Sequence, residues 1–368
     1  MSFSSIFKEL DIKSIKQQSL DTTSSEISNI LNKESWGMDD FLKLISPAAE
    51  KNLEQITRVS HNITKQRFGN TMQIYIPMYL SSYCQNTCTY CGFNSKNIVK
   101  RTKLTKEEIQ KEASIIKQKG FKQLLILTGE DSKQAGVDYI KEAISQISDD
   151  FCSIGLEIMP LETGEYKTLI NAGAHYLTVY QETYHPASYR KYHIAGKKAN
   201  YDFRIDTPDR AGKAGFHIVN IGALLGLYDW RYEAIALAYH IQYLTKKYWK
   251  TKFAISTPRI QDNFQNFVPE YQVSDVNLAQ FICAFRLVFN DIGITLSTRE
   301  SESIRNNMIK LGITAISAES HTAPGGYAGT DKEQQFATAD NRNMQEIATM
   351  LNKQGYEPVM KDWDTAFK

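Results

Sequence analysis

A chain of 368 residues with 42% hydrophobic and 23% charged content has the make-up of a folded globular protein with a large core. Its 43 basic and 41 acidic residues leave a net charge of +2, which gives no electrostatic case for a nucleic-acid or membrane-surface partner. No apolar run reaches the roughly 18 residues of a membrane span, and the first ten residues lack the apolar core of a signal peptide. With its cysteines read as reduced, the expected location is the cytoplasm.

Residues 1–70 read as a helical extension. Ser46-Pro47 is a helix start, and Leu53, Ile56, Val59 and Ile63 follow at helical spacing as far as Phe68. The expected role is packing, as an outer layer closing one end of the main domain. From residue 72 strand-like and helix-like segments alternate. The strand 72–80 precedes a helix opened by the capping box Thr105/Glu108 and stopped at Gly120. Strands follow at 123–127, 153–158, 175–180, 218–223, 253–256, 294–297 and 315–317. Helices lie between them at 137–147, 162–172, 202–214, 230–247, 276–289 and 302–311. Eight strands with intervening helices over roughly 250 residues fit a closed (β/α)8 barrel of TIM type over residues 71–320. A doubly wound open sheet has the same alternation, and periodicity does not separate the two. Residues 321–368 form a C-terminal extension packing on the barrel, with one helix at 340–354 ending at Gly355.

A parallel barrel carries its reactive residues at the C-terminal ends of its strands, and the notable polar residues fall there. Thr128-Gly129-Glu130 ends the second strand, Glu157 the third and Gln181-Glu182 the fourth. Arg259 follows the sixth strand, Thr298-Arg299 the seventh and Ser317 to Ser320 the eighth. The first strand runs into Cys84-Gln85-Asn86-Thr87-Cys88-Thr89-Tyr90-Cys91-Gly92. Three thiolates at C-x3-C-x2-C spacing converge on one centre only if the loop wraps it. A 4Fe-4S cluster needs four iron ligands, so three local cysteines leave one iron open. Zinc with four protein ligands is the competing reading, but Cys152 and Cys283 have no partner at a zinc spacing. Disulfides suit neither a clustered triplet nor a chain without export features.

The loop, with an aromatic residue before its last cysteine, resembles that of the radical S-adenosylmethionine (SAM) enzymes. Phe68-Gly69-Asn70-Thr71, Cys91-Gly92-Phe93, Thr128-Gly129-Glu130, Val179-Tyr180-Gln181-Glu182-Thr183-Tyr184-His185, Leu296-Ser297-Thr298-Arg299-Glu300 and Pro324-Gly325-Gly326-Tyr327 narrow the match. Together they resemble the 2-iminoacetate synthases, the tyrosine lyases of thiazole biosynthesis, from about Phe41 to Trp363. The resemblance favours the radical SAM barrel over the open sheet. It implies a 4Fe-4S cluster on Cys84, Cys88 and Cys91, SAM on the open iron, and L-tyrosine cleaved to 2-iminoacetate and p-cresol. It also implies a reductant of flavodoxin or ferredoxin type and hand-over of the imine to the thiazole synthase subunit ThiG. A tryptophan lyase of the same group remains open. The related tyrosine lyase of hydrogenase maturation carries a cysteine-bearing C-terminal extension, and residues 325–368 contain no cysteine. A zinc-stabilised binding scaffold is the reading without catalysis.

The remaining site residues follow from chemistry and from that resemblance. Gly129 lets backbone approach closely, and Glu130 is an acceptor for an ammonium group; in the family this strand end lies by the methionine amine. A lone Gly-Glu after a strand is otherwise an ordinary surface turn. Tyr90 sits with the SAM-binding residues. Glu182 resembles the ribose-binding carboxylate of related enzymes, and Arg204 an arginine that holds the methionyl carboxylate; ordinary salt bridges are the bland alternative for both. Glu157, within an apolar strand, reads as a site carboxylate because burial without a partner is costly. Arg299 is the expected grip on the substrate carboxylate, with Ser317 and Ser320 beside it. Lys96, Lys100, Arg101 and Lys103 read as a solvated basic face, and docking of an acidic partner is the weaker reading. Tyr180, Tyr184, His185 and His193 are unranked candidates for proton transfer.

Overall fold

The structure, a computed structural model, describes residues 2–260, 267–329 and 334–360. Its centre is a ring of eight parallel strands: β1 Thr71–Ser81, β2 Gln123–Thr128, β3 Ser153–Glu157, β4 Tyr176–Glu182, β5 Ile218–Ala223, β6 Lys252–Ser256, β7 Gly293–Leu296 and β8 Ala315–Ser317. Each strand pairs with the next, β8 pairs with β1, and β1 also pairs with β2. The two pairings of β1 together, with β2 from Ile76 opposite Leu124 through Ser81 opposite Thr128 and with β8 from Gln73 opposite Ala315 through Tyr75 opposite Ser317, close the barrel and exclude the open sheet. Alternating side chains feed a core between strands and outer helices that includes Ile74, Ile76, Leu124, Ile126, Leu156 and Val219.

The outer helices follow their local signals. Lys106–Gln118 starts at the Thr105/Glu108 capping box, and Val137–Ile147 buries Ile140, Ala143, Ile144 and Ile147 along one face. Three elements depart from the periodicity. The expected helix 202–214 is two pieces, Tyr201–Ile205 and Thr207–Ala214, because Pro208 lacks the N–H that would continue it and disfavours helix at Thr207. A helix Pro186–Tyr192 occupies a stretch that carries no apolar periodicity; it starts at a proline and His185 caps Ser188. A ninth strand, β9 Glu357–Val359, adds to β1 at Thr71–Gln73. Gln73 also pairs with Ala315 of β8, so β9 lies on the other edge of β1, beneath β2. The tail helix is Met344–Lys353 with Asn343 as its cap, shorter at its start than the sequence suggests. Trp363 lies outside the described residues.

Residues 1–70 were expected to close one end of the barrel; their described contacts instead run along its flank. Phe3 stacks on His240 at 3.8 Å, Phe41 meets Phe285 at 4.9 Å, and Gln280 donates to the carbonyls of Leu44 and Ser46. These partners belong to the outer helices Trp230–Lys247 and Asp275–Val288, which bury apolar side chains over much of their length. The N-terminal mouth of the barrel instead opens on a cavity of about 240 Å³ lined by Gln73, Gln123, Ser153, Thr178 and Asn220. Among the described residues, the segment contributes only Phe68 to that lining.

One buried ion pair joins the tail to the last barrel strand. Arg305 and Asp340 both have side chains 1% exposed, and Arg305 also donates to the carbonyl of Ser317. Asp340 keeps Arg342 at 2.6 Å, so Arg305→Ala loses charged hydrogen bonds without stranding a carboxylate and is expected to lower the unfolding free energy by about 1.5–3 kcal/mol. Arg58→Ala, in the exposed pair with Glu54, should change it by under about 0.5 kcal/mol. Chemical denaturation of both variants checks the contrast.

Candidate active site

The cysteine loop leaves the top of β1 and is fastened to the top of β2. Gly129 donates its N–H to Ser81 O at 2.8 Å, and Gln85 donates to Glu130 O at 3.1 Å. A Cβ at Gly129 would stand 2.2 Å from the Tyr83 carbonyl and 3.2 Å from Cys84 Cβ, so only glycine admits the loop this close. On its other side the loop meets the segment after β4. Thr87 bonds to Ala195 and Ile194, and Cys88 forms an isolated bridge with His193. Arg101 closes the return, donating to the carbonyls of Ser82, Phe93 and Asn94. That arginine of the basic run is structural, and Lys103 lies over the Tyr139 ring, whereas Lys96 and Lys100 are exposed.

Burial pushes all three thiols up, Cys91 to about 11 with Cys84 adding to the rise, and Cys84 and Cys88 in the same direction. Three neighbouring thiols kept neutral by burial and mutual repulsion become thiolates only when a cationic centre takes them, which is the donor chemistry of a metal cluster. Among the described residues no three His, Cys, Asp or Glu side chains gather tightly enough for a single ion. A cubic cluster has the opposite need, since its three thiolates sit on different irons.

Beside the loop a cavity of about 100 Å³ enters the barrel from its C-terminal end. Of the expected site residues, Tyr90, Cys91, Glu157, Glu182, Arg299, Ser317 and Ser320 line it. Gly129, Glu130 and Arg204 stand behind that wall. Glu130 accepts from Asn86 at 2.8 Å and from Arg204 at 2.9 Å, so its carboxylate is engaged by the protein. Arg204 also donates to Tyr180 O at 2.7 Å and lies 3.6 Å from Glu182.

Glu182 has φ 69°, a left-handed conformation rare for glutamate, at a register shift between β4 and β5. Its side chain meets Lys198 Nζ at 2.6 Å. Burial opposes ionisation of Glu182, but Lys198 and Arg204 outweigh it and hold the carboxyl below its ordinary range. Lys198 escaped the sequence reading because Lys197-Lys198 on a loop looks like solvated surface. The retrievable signal was Gly196, whose φ of 92° and tight approach to Asn86 seat the turn on the cysteine loop. Tyr75, Tyr79, Gln335 and Phe336 line the cavity as well and were also missed. The tyrosines alternate along β1 as ordinary barrel interior, and Gln335 and Phe336 belong to no periodic element.

Of the four candidates for proton transfer, Tyr180 alone lines the cavity, where it donates to Ser256 at 3.1 Å. His193 is buried, its Nδ1 2.8 Å from Tyr189 O and its Nε2 2.8 Å from the Tyr90 hydroxyl. Burial pushes His193 well below its ordinary range, so it is neutral and accepts from Tyr90. Tyr184 bonds to His240, and His185 stacks on Tyr228. Arg259 is spent on Glu300 and Asp275. Ser317 accepts from Thr298 N, while the buried Ser320 hydroxyl has no hydrogen-bond partner among the described residues.

Residues 78–238 match the Radical SAM superfamily, and residues 256–357 match the Biotin and Thiamin Synthesis associated domain. Over 365 residues the chain is 40% identical to the 2-iminoacetate synthase of Escherichia coli (strain K12), covering 99% of this chain and 97% of that one. The chain belongs to the 2-iminoacetate synthase family. The 2-iminoacetate synthase of Salmonella typhimurium matches with the same identity and coverage. HydG, a maturase of the [FeFe]-hydrogenase, superposes with a TM-score of 0.91 at 33% identity, over 96% of this chain and 80% of that one. As a member of the 2-iminoacetate synthase family the protein is a radical SAM lyase, and membership implies a 4Fe-4S cluster and SAM. A zinc-stabilised scaffold is thereby set aside. No helix among the described residues is long and apolar enough to cross a membrane.

Burial, with Glu182 nearby, pushes Glu157 from 4.5 up to about 7. Between those values the folded chain keeps a proton that the unfolded chain has lost. This group therefore makes stability fall as pH rises from 4.5 to about 7, with no further slope above. Glu157→Gln should flatten that part of the profile, as thermal unfolding of the apoprotein between about pH 5 and 8 would record.

Proposed function

We propose that this protein cleaves the Cα–Cβ bond of L-tyrosine to 2-iminoacetate and p-cresol, for the thiazole moiety of thiamine. The observation that carries the reading is near-full-length 40% identity to a 2-iminoacetate synthase, with a cavity at the cysteine loop walled by Arg299. Cys84, Cys88 and Cys91 would hold a 4Fe-4S cluster and leave one iron for SAM. With both bound, the pair would supply the radical that starts the reaction.

The chain's own residues bind, orient and exclude water. Arg299 takes the tyrosine carboxylate in a two-pronged contact, and the Ser320 hydroxyl supplies a further donor. Tyr90, Glu182 and Lys198 form the wall shared by SAM and the cysteine loop, with Gly129, Glu130 and Arg204 supporting it from behind. Tyr75, Tyr79 and Tyr180 exclude water from the inner end, and Glu157, protonated below about pH 7, offers a hydrogen-bond donor there. Holding the substrate amine in place is the protein's main contribution.

2-Iminoacetate and p-cresol together contain all the atoms of tyrosine. The conversion of SAM to methionine and 5′-deoxyadenosine therefore requires two electrons and a proton per turnover from outside. An acidic flavodoxin- or ferredoxin-type reductant would suit the exposed Lys96 and Lys100 beside the loop. The imine hydrolyses in water, which favours direct hand-over to ThiG. The division into a flank layer (1–70), barrel (71–320) and C-terminal extension (321–368) is part of the same proposal, in a cytoplasmic setting.

Anaerobic turnover of the reconstituted protein with dithionite, SAM and L-tyrosine tests the reading. p-Cresol and 5′-deoxyadenosine are expected, and both should vanish in Cys88→Ala. Arg299→Ala should lower kcat/KM for tyrosine roughly 10- to 150-fold, the value of a charged hydrogen-bond pair. Indole products from L-tryptophan with nothing from tyrosine would overturn the substrate.

A further inference from the structure

Two residues beyond the last barrel strand reach back into the site. The Phe336 ring lies 3.5 Å from the guanidinium carbon of Arg299. Its carbonyl accepts from Thr322 at 2.7 Å, and Gln335 N donates to Thr322 O at 2.9 Å, so the dipeptide is pinned at the barrel rim. Gln335 then makes two connections. Its carbonyl accepts from Gly92 N at 3.0 Å, directly after the last cysteine, and its side-chain oxygen accepts from the buried Tyr79 hydroxyl at 2.6 Å. A Cβ at Gly92 would stand 2.2 Å from the Gln334 carbonyl, so the contact between loop and strap is close. Farther along, Ala339 N bonds to Thr298 O, next to Arg299 in the chain.

A guanidinium donates hydrogen bonds in its own plane, and a ring stacked on its face consumes none of those donors. Such a contact orients the fork without competing for a carboxylate.

We propose that Phe336 is a positioning residue that aims Arg299 at the substrate carboxylate, and that Gln335-Phe336 ties this grip to the cysteine loop at Gly92. The inference rests on Arg299 being the carboxylate grip. Loss of the ring would weaken tyrosine binding and let SAM be cleaved without tyrosine cleavage.

Phe336→Ala, Phe336→Leu and Phe336→Tyr are compared with wild type and Arg299→Ala. The readouts are KM for L-tyrosine, the ratio of 5′-deoxyadenosine to p-cresol, and calorimetric binding of L-tyrosine to the unreduced, SAM-loaded protein. The alanine and leucine variants should bind tyrosine about tenfold more weakly, as a desolvated cation–π contact implies, and should raise the ratio. The tyrosine variant should stay within about twofold of wild type. If the alanine variant does not fold, the leucine and tyrosine pair decides. Leucine matching tyrosine in all readouts would overturn the role of the ring while Arg299→Ala still fails to bind. Unchanged tyrosine binding in Arg299→Ala would overturn the reading of the grip itself, and this inference with it.

Discussion

The hydrogen bond from Gly129 N–H to the carbonyl of Ser81 is the constraint from which the site follows. It forms at the upper end of the β1–β2 pairing, and it sets the point at which the cysteine loop departs. Because residue 129 has no side chain, the Tyr83–Cys84 backbone can lie against it. Glu130 is thereby held where Asn86 and Arg204 both reach it. An open sheet of the same segments would lack the β8–β1 pairing, which brings the ends of β7 and β8 round to the rim that carries the cysteine loop.

Around this junction the protein buries an unusual number of charges and satisfies them with one another. Glu130, Arg204, Glu182 and Lys198 form a chain of two carboxylates and two cations, each side chain 13% exposed or less. Pairing offsets desolvation only with close geometry, and here the left-handed Glu182 and the tight turn at Gly196 supply it. Such strain is tolerated where it serves a site. It keeps a carboxylate and an ammonium at the cavity wall, where isolated charges would be too costly.

The segment after β8 is part of the same construction. β9 extends the sheet beneath β2, Asp340 neutralises Arg305 under β8, and Glu112 accepts the N–H groups of Tyr327 and Ala328. These anchors hold Gln335 and Phe336 at the cavity. A wall built this way joins cysteine loop and substrate side through short contacts at the barrel rim.

The cysteine spacing, the capping boxes and the strand–helix rhythm are local properties, and the sequence by itself determined them. Residues 84–91 could be read as a cluster loop, and the placement of Glu157, Glu182, Arg299, Ser317 and Ser320 at strand ends followed from alternation alone. What only the tertiary structure decided depends on pairs distant in the chain. The β8–β1 closure, the flanking course of residues 1–70 and the added strand β9 carry no periodic signal that distinguishes them. The engagement of Glu130 by Asn86 and Arg204 joins residues far apart in sequence. Lys198, Gln335 and Phe336 were invisible for the same reason. A loop side chain has no period, and what it does is set by which distant backbone holds it in place.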